Sequence, residues 1–107
     1  MPNRPRFDRR ATRIRATEAR RAVAVEVANA IRRTGLTQAQ AARLLGVDQP
    51  KVSRLLCGQT AGFSPERLLV FLTLLGRDVE IVIRGSRPKP DAVGRLRVVC
   101  TSADGAA

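Results

Sequence analysis

This 107-residue sequence predicts a mainly α fold, four short helices followed by a C-terminal β-strand or hairpin. Three observations carry that expectation. Apolar residues recur every three or four positions from Val23 to Leu75, the period changes to two from Val79 onward, and Gly35, Gly46 and Gly76 punctuate the chain. A single domain of this size, with tails, buries only a modest core, so a deep enzymatic cleft is not expected.

Residues 1–16 combine two prolines with six arginines and little apolar repeat, which predicts a basic flexible arm, extended or frayed. Thr17 is the expected N-cap of a first helix that runs to Arg33. Val23, Val27 and Ile31 recur every four residues along it, Ala24 and Ala28 widen the stripe, Arg32 and Arg33 suit its negative end, and Gly35 stops it. The second helix lies in "LTQAQAARLLG". Thr37 and Gln40 have the capping-box spacing, Leu36 is placed as a staple, and Gly46 ends the helix. Asp48, a favoured N-cap, starts the third, in which Val52, Leu55 and Leu56 share a face until "CGQTAG" breaks it. Pro50 falls in its first turn, where amides have no helical acceptor, so the missing donor costs little and the fixed φ suits the helix.

The fourth helix opens at "FSPERL", with Ser64 as cap, Pro65 at the first helical position and Glu66 at the positive end of the dipole. Leu68, Phe71, Leu72 and Leu75 form its stripe, and Leu69, Val70 and Leu74 make it apolar on further sides, so a partner surface is expected. Gly76 ends it. Residues 17–76 thus form the helical domain, and residues 77–100 the C-terminal β region. In "DVEIVIR", Val79, Ile81 and Ile83 face one way, with Glu80, Val82 and Arg84 the other. "RLRVVC" repeats the alternation after a Pro- and Gly-punctuated loop. A lone hairpin is marginal in water and leaves open edges, so a second copy of the chain is the economical partner, with Val79, Ile81 and Ile83 at the dimer contact. Residues 101–107 read as a disordered tail.

Lys and Arg total 20 against 9 Asp and Glu, a net charge of +11. Residues 1–33 alone hold ten Arg against Asp8, Glu18 and Glu26, a net +7. Such a block attracts polyanions, nucleic acid first, with an acidic membrane surface or acidic protein behind it; the alternative is a solvated like-charge tail. The sequence has no His, Tyr or Trp, and only Cys57 and Cys100 offer sulfur. No catalytic residue, metal site or cofactor is therefore expected, and the chain does not read as an enzyme. The two cysteines lack CxxC spacing and no signal peptide is legible ahead of them, which predicts a reduced cytoplasmic setting and two small buried or half-buried side chains. "LLVFLTLL" is too short to span a bilayer, so no membrane association is expected.

Two short helices about a glycine turn are a helix-turn-helix unit, and its packing can be checked by position. Ala42 supplies the small residue facing the second helix, and Gly46, four residues on, the left-handed turn. Val52 and Leu55 supply the apolar anchors, while Leu45 and Val47 fill the wedge. Alanine-rich helical hairpins with glycine turns also occur without binding DNA, and the outward face weighs against that reading. It presents Gln49, Pro50, Ser53 and Arg54, with Lys51 at its flank, the side chains that read base edges in a major groove: Gln on adenine, Arg or Lys on guanine, and Pro50 against a thymine methyl.

Here "LTQAQAARLLGVDQPKVSRLLCG", followed by "GFSPERLLVFLTLLGRDVEIVI", resembles the Cro/repressor-type (XRE) helix-turn-helix proteins, in particular the HigA-like antitoxin branch, over about residues 17–84. The resemblance implies a bundle of four to five helices with a C-terminal strand used in dimerisation, and a homodimer on an inverted-repeat operator of double-stranded DNA. It implies autoregulation of an operon that encodes a RelE-like toxin, which the protein binds and neutralises. By position it places Gln38 on a phosphate, and Gln49, Lys51, Ser53 and Arg54 on base edges or adjacent phosphates. The expected function is a sequence-specific repressor, the antitoxin of a type II module. The alternatives are an interaction protein whose main task is to block the toxin, or a plain repressor without one. The arginine-rich arm is expected to add phosphate or minor-groove contacts with little sequence choice.

Overall fold

Asp8 sets the start of the first helix by accepting hydrogen bonds from the amides of Arg10 (3.0 Å) and Ala11 (3.2 Å). In the computed structural model, which describes residues 8–85 and 93–101, four helices follow in order: α1 (Arg9–Thr34), α2 (Gln38–Leu45), α3 (Gln49–Leu56) and α4 (Pro65–Leu74). The first seven residues of the expected arm, the loop 86–92 and the tail from residue 102 lie outside the described residues.

The first helix departs from expectation at its start, which precedes Thr17 by eight residues. The segment "RRATRIRATEARR" carries no glycine or proline and is built mainly from Arg and Ala, both strong helix formers. Its missing apolar repeat reports that it is not buried; it does not report that it is not helical. Residues 9–16, expected as part of an extended or frayed arm, are therefore the first turns of α1.

The core begins where the arginines stop. Val23, Ala24, Val27, Ala30 and Ile31 of α1 meet Ala41, Ala42 and Leu45 of α2, Val52 and Leu55 of α3, and Leu68, Phe71 and Leu72 of α4. α4 packs chiefly on α1, and α3 lies between α2 and α1. Phe63, in the loop before α4, meets Phe71 edge-on at 6.1 Å, and the Arg67 guanidinium stands 5.6 Å from the Phe71 ring centre. The expected caps are in place: Thr37 and Gln40 satisfy each other's amides, and the Ser64 hydroxyl accepts from the Arg67 amide at 3.2 Å. The greasy α4 is buried along one stripe only, leaving Val70 at 54% and Leu74 at 46% exposure.

After α4 the chain is held at one further point. Val79 is half-buried against the core, and Arg77 donates to the Glu26 carboxylate across 3.3 Å. Beyond it Ile81 and Ile83 are 76% and 89% exposed, so the three residues expected at the dimer contact divide between the core and solvent. Among the described residues no strand forms. A strand exists through pairing, and the expected pairing of residues 79–84 with Arg95–Cys100 is not formed among the described residues, in keeping with the marginal stability of a lone hairpin.

Both cysteines are exposed, against the expectation of buried or half-buried side chains. Cys57 follows the last turn of α3, and Cys100 returns to the Glu26–Arg77 pair. Partial covering raises the Cys100 thiol above its usual range, the Glu26 carboxylate, with its hydrogen bond, raises it further, and Arg77 opposes both.

The turn between α2 and α3 depends on backbone geometry alone. Gly46 has φ +72° with open space where a side chain would stand, so a β-branched residue there meets only the left-handed penalty. Gly46→Val should lower stability by about 1–2 kcal/mol, whereas Gly46→Asn should lose much less. Thermal denaturation followed by circular dichroism measures both, and equal losses for the two variants would contradict the assignment.

Candidate nucleic-acid interface

α2 and α3 are each 8 residues long, too short to persist alone, so their directions are set by packing. The Val47 amide donates back to the Ala42 carbonyl at 3.0 Å, closing α2 with the 6→1 bond of a left-handed helix stop. Two residues after Gly46, Asp48 caps α3, its carboxylate accepting from the Lys51 amide at 3.3 Å. Pro50 is the second residue of α3, inside the first turn where its missing donor is not needed. Val52 at 0% and Leu55 at 1% exposure fix the inward face of α3, with Leu56 half-buried beside them.

That inward face leaves Gln49, Pro50 and Arg54 exposed, with Lys51 and Ser53 half-buried at the flanks. Gln38, the first residue of α2, is also exposed. The six residues expected at DNA therefore stand on the surface of one helical pair, Gln38 opening α2 and the other five along the first turns of α3. Among the described residues the Arg77–Glu26 pair is the only salt bridge, and none there joins Lys51 or Arg54 to a carboxylate. No acidic side chain stands in the body of α3; its nearest one, Asp48, is engaged by the Lys51 amide.

One supporting bond was not legible in the sequence. The Arg32 guanidinium donates through Nη2 to the Leu56 carbonyl at 2.9 Å, tying the last turn of α1 to the end of α3. The sequence places Arg32 only as a cation at its own helix end. Its reach across 24 residues to a carbonyl left over at the end of another helix has no local signature. Among the described residues, no group of three or more His, Cys, Asp or Glu side chains is placed to hold a metal ion, and no helix is long and apolar enough to cross a membrane.

Comparison with known proteins agrees with this geometry. A family model described as a helix-turn-helix domain matches residues 8–84. A solved structure assigned by its name to the XRE family of transcriptional regulators is similar at a TM-score of 0.67 and 43% identity, over 79% of this chain and 98% of that one. No curated protein matches the chain. The family match spans all four helices, and the chain thus belongs to the helix-turn-helix domain family, of the XRE type, and is not an enzyme.

Proposed function

We propose that the chain is a sequence-specific DNA-binding repressor that acts as a cytoplasmic homodimer, each protomer laying α3 in one major groove of an inverted-repeat operator. The observation that carries this reading is the sidedness of α3. Val52 and Leu55 are fully buried, and the surface they leave outward offers Gln49, Pro50, Ser53 and Arg54, with Lys51 at the edge and, among the described residues, no carboxylate in a salt bridge with them. Gln pairs with adenine and Arg with guanine through two hydrogen bonds each, while Gln38 at the start of α2 is suited to a phosphate. A two-fold axis would set the two α3 helices about 34 Å apart, one turn of DNA.

Exposed apolar residues after α4 support the dimer. Ile81, Val82 and Ile83 are exposed in a row, and Leu96 and Val99 beyond the loop are exposed too, the kind of apolar surface that favours a partner. Their alternation suits strands that pair between protomers. The same surface, with the resemblance of "GFSPERLLVFLTLLGRDVEIVI" to the HigA-like branch, favours a second role, the binding and neutralising of a RelE-like toxin encoded beside it. Without such a neighbour the reading reduces to a plain repressor.

The direct test is fluorescence anisotropy on the DNA upstream of the gene. Gln49→Ala and Arg54→Ala should each cost about 1–3 kcal/mol of binding and relax preference at one base pair; variants that weaken all sequences alike would contradict readout by α3. Ile81→Glu should yield monomers in sedimentation and weaken the palindrome far more than a single half-site, and a variant that stays dimeric would move the interface to the Val70–Leu74 face of α4. Co-expression with a neighbouring RelE-like ribonuclease should restore growth that the ribonuclease alone arrests, and continued arrest would remove the antitoxin role.

A further inference from the structure

The half of α1 that precedes the core is a charged structure in its own right. α1 has 26 residues, and its first buried residue is Val23, so the turns from Arg9 to Ala22 extend about 21 Å along the axis with no buried side chain. Residues 9–21 contain six arginines and one acid, Glu18.

Their positions are ordered. Followed back from the core, the inward stripe of α1 runs Ile31, Val27, Val23 and Ala24, then Arg20, Ala16, Arg13 and Arg9, in steps of three and four. The helix thus carries arginine on the stripe that buries valine two turns after Arg20 and four turns after Arg9 and Arg13. Arg9 and Arg13 are exposed and Arg20 half-buried, while Glu18 falls on the opposite side of the helix and pairs with none of them. Arg9, Arg10 and Arg13, with Ile14, also line an open depression in the surface.

This arrangement is electrostatically unfavourable by itself. Arginines three and four residues apart repel, and at the positive end of the helix dipole the Asp8 cap is the one carboxylate, engaged by the Arg10 and Ala11 amides, with no acidic residue in the first turn itself. Anions relieve both. A second copy of the chain carries the same charge and is no partner for the ridge. An acidic protein would need apolar or aromatic anchors at the centre of its interface, and here the large exposed apolar side chain is Ile14 alone. A phosphate backbone needs no such anchor.

We propose that Arg9, Arg13 and Arg20 form a rigid helical ridge that binds phosphates of duplex DNA, adding affinity without sequence choice to the base readout by α3. The proposal rests on the DNA-binding reading above and deepens it: specificity belongs to α3 and salt-dependent affinity to the ridge. The helix also distinguishes it from a flexible arm in the minor groove, because the charges are already spaced before DNA arrives.

The test titrates the full chain against two duplexes of equal length, the upstream DNA and a shuffled copy, from 50 to 200 mM salt. The triple variant Arg9→Gln, Arg13→Gln, Arg20→Gln should lower the steepness of log K against log salt by about 2.7 per protomer, at roughly 0.9 for each phosphate that is no longer neutralised. It should weaken both duplexes by the same factor. Arg15→Gln, on another face, should change the steepness by less than a third of that. Arg9→Lys, Arg13→Lys, Arg20→Lys keeps the charge and should keep the steepness, which guards against a variant that merely unfolds the ridge. Unchanged steepness in the Gln triple variant overturns the proposal and leaves the ridge to an acidic protein; weakening confined to the upstream duplex overturns it also. Gln49→Ala should change the ratio between the duplexes and leave the steepness intact, so failure of the α3 reading is seen separately.

Discussion

Val52 and Leu55 decide which way α3 faces, and nearly every functional statement about the chain depends on that direction. The two are three residues apart on one helix face, both fully buried, and they leave the opposite meridian for Pro50 and Arg54, with Gln49 exposed at the open first turn. A rotation of one residue would send Ser53 inward and leave a buried hydroxyl without its water, at a cost that apolar packing would not offset. Gly46 supplies the second constraint, because only a left-handed residue lets Val47 turn back on Ala42 and bring α3 across α2. The Arg32 bond to the Leu56 carbonyl then holds the far end of α3 against α1. Anchors from three parts of the chain thus present one helix face to solvent in a fixed attitude.

That fixity bears on function through the entropy of binding. An 8-residue helix in isolation would have to be ordered by its ligand, and the ordering would subtract from affinity. Packed between α1 and α2, α3 is already formed, so on the proposed reading only long side chains such as Arg54 and Lys51 would lose freedom on binding. The segment after α4 is the opposite case. Val79 and Arg77 tie it to the core at one end, and Ile81 and Ile83 beyond them are exposed.

The sequence was legible where the physics is local. Asp48, Ser64 and the Thr37–Gln40 pair bond within three residues of themselves, so their spacing alone locates the starts of α2, α3 and α4. Core positions were legible for the same kind of reason, since burial imposes a period on the chain. The first turns of α1 were missed because exposed helices impose no such period, and only the propensity of Arg and Ala, with Asp8 as cap, reports them. Arg32 on Leu56 and Arg77 on Glu26 join residues 24 and 51 positions apart, and no local pattern encodes either. The alternation after Val79 predicts a strand, and among the described residues none forms there. The exposure of Cys57 and Cys100 shows how little composition says about single small residues.

If α3, opened by Asp48 and anchored by Val52 and Leu55, is the surface that meets DNA bases, its amides must sense the duplex first. Backbone amide shifts of the labelled protein, recorded with and without the DNA upstream of its gene, read this out residue by residue. The largest changes should fall on Gln38 and on the amide-bearing residues from Gln49 to Arg54, with the amides of Val70 to Leu74 in α4 nearly unmoved. Changes concentrated on α4, with α3 unaffected, would contradict the assignment of α3 as the DNA-reading helix.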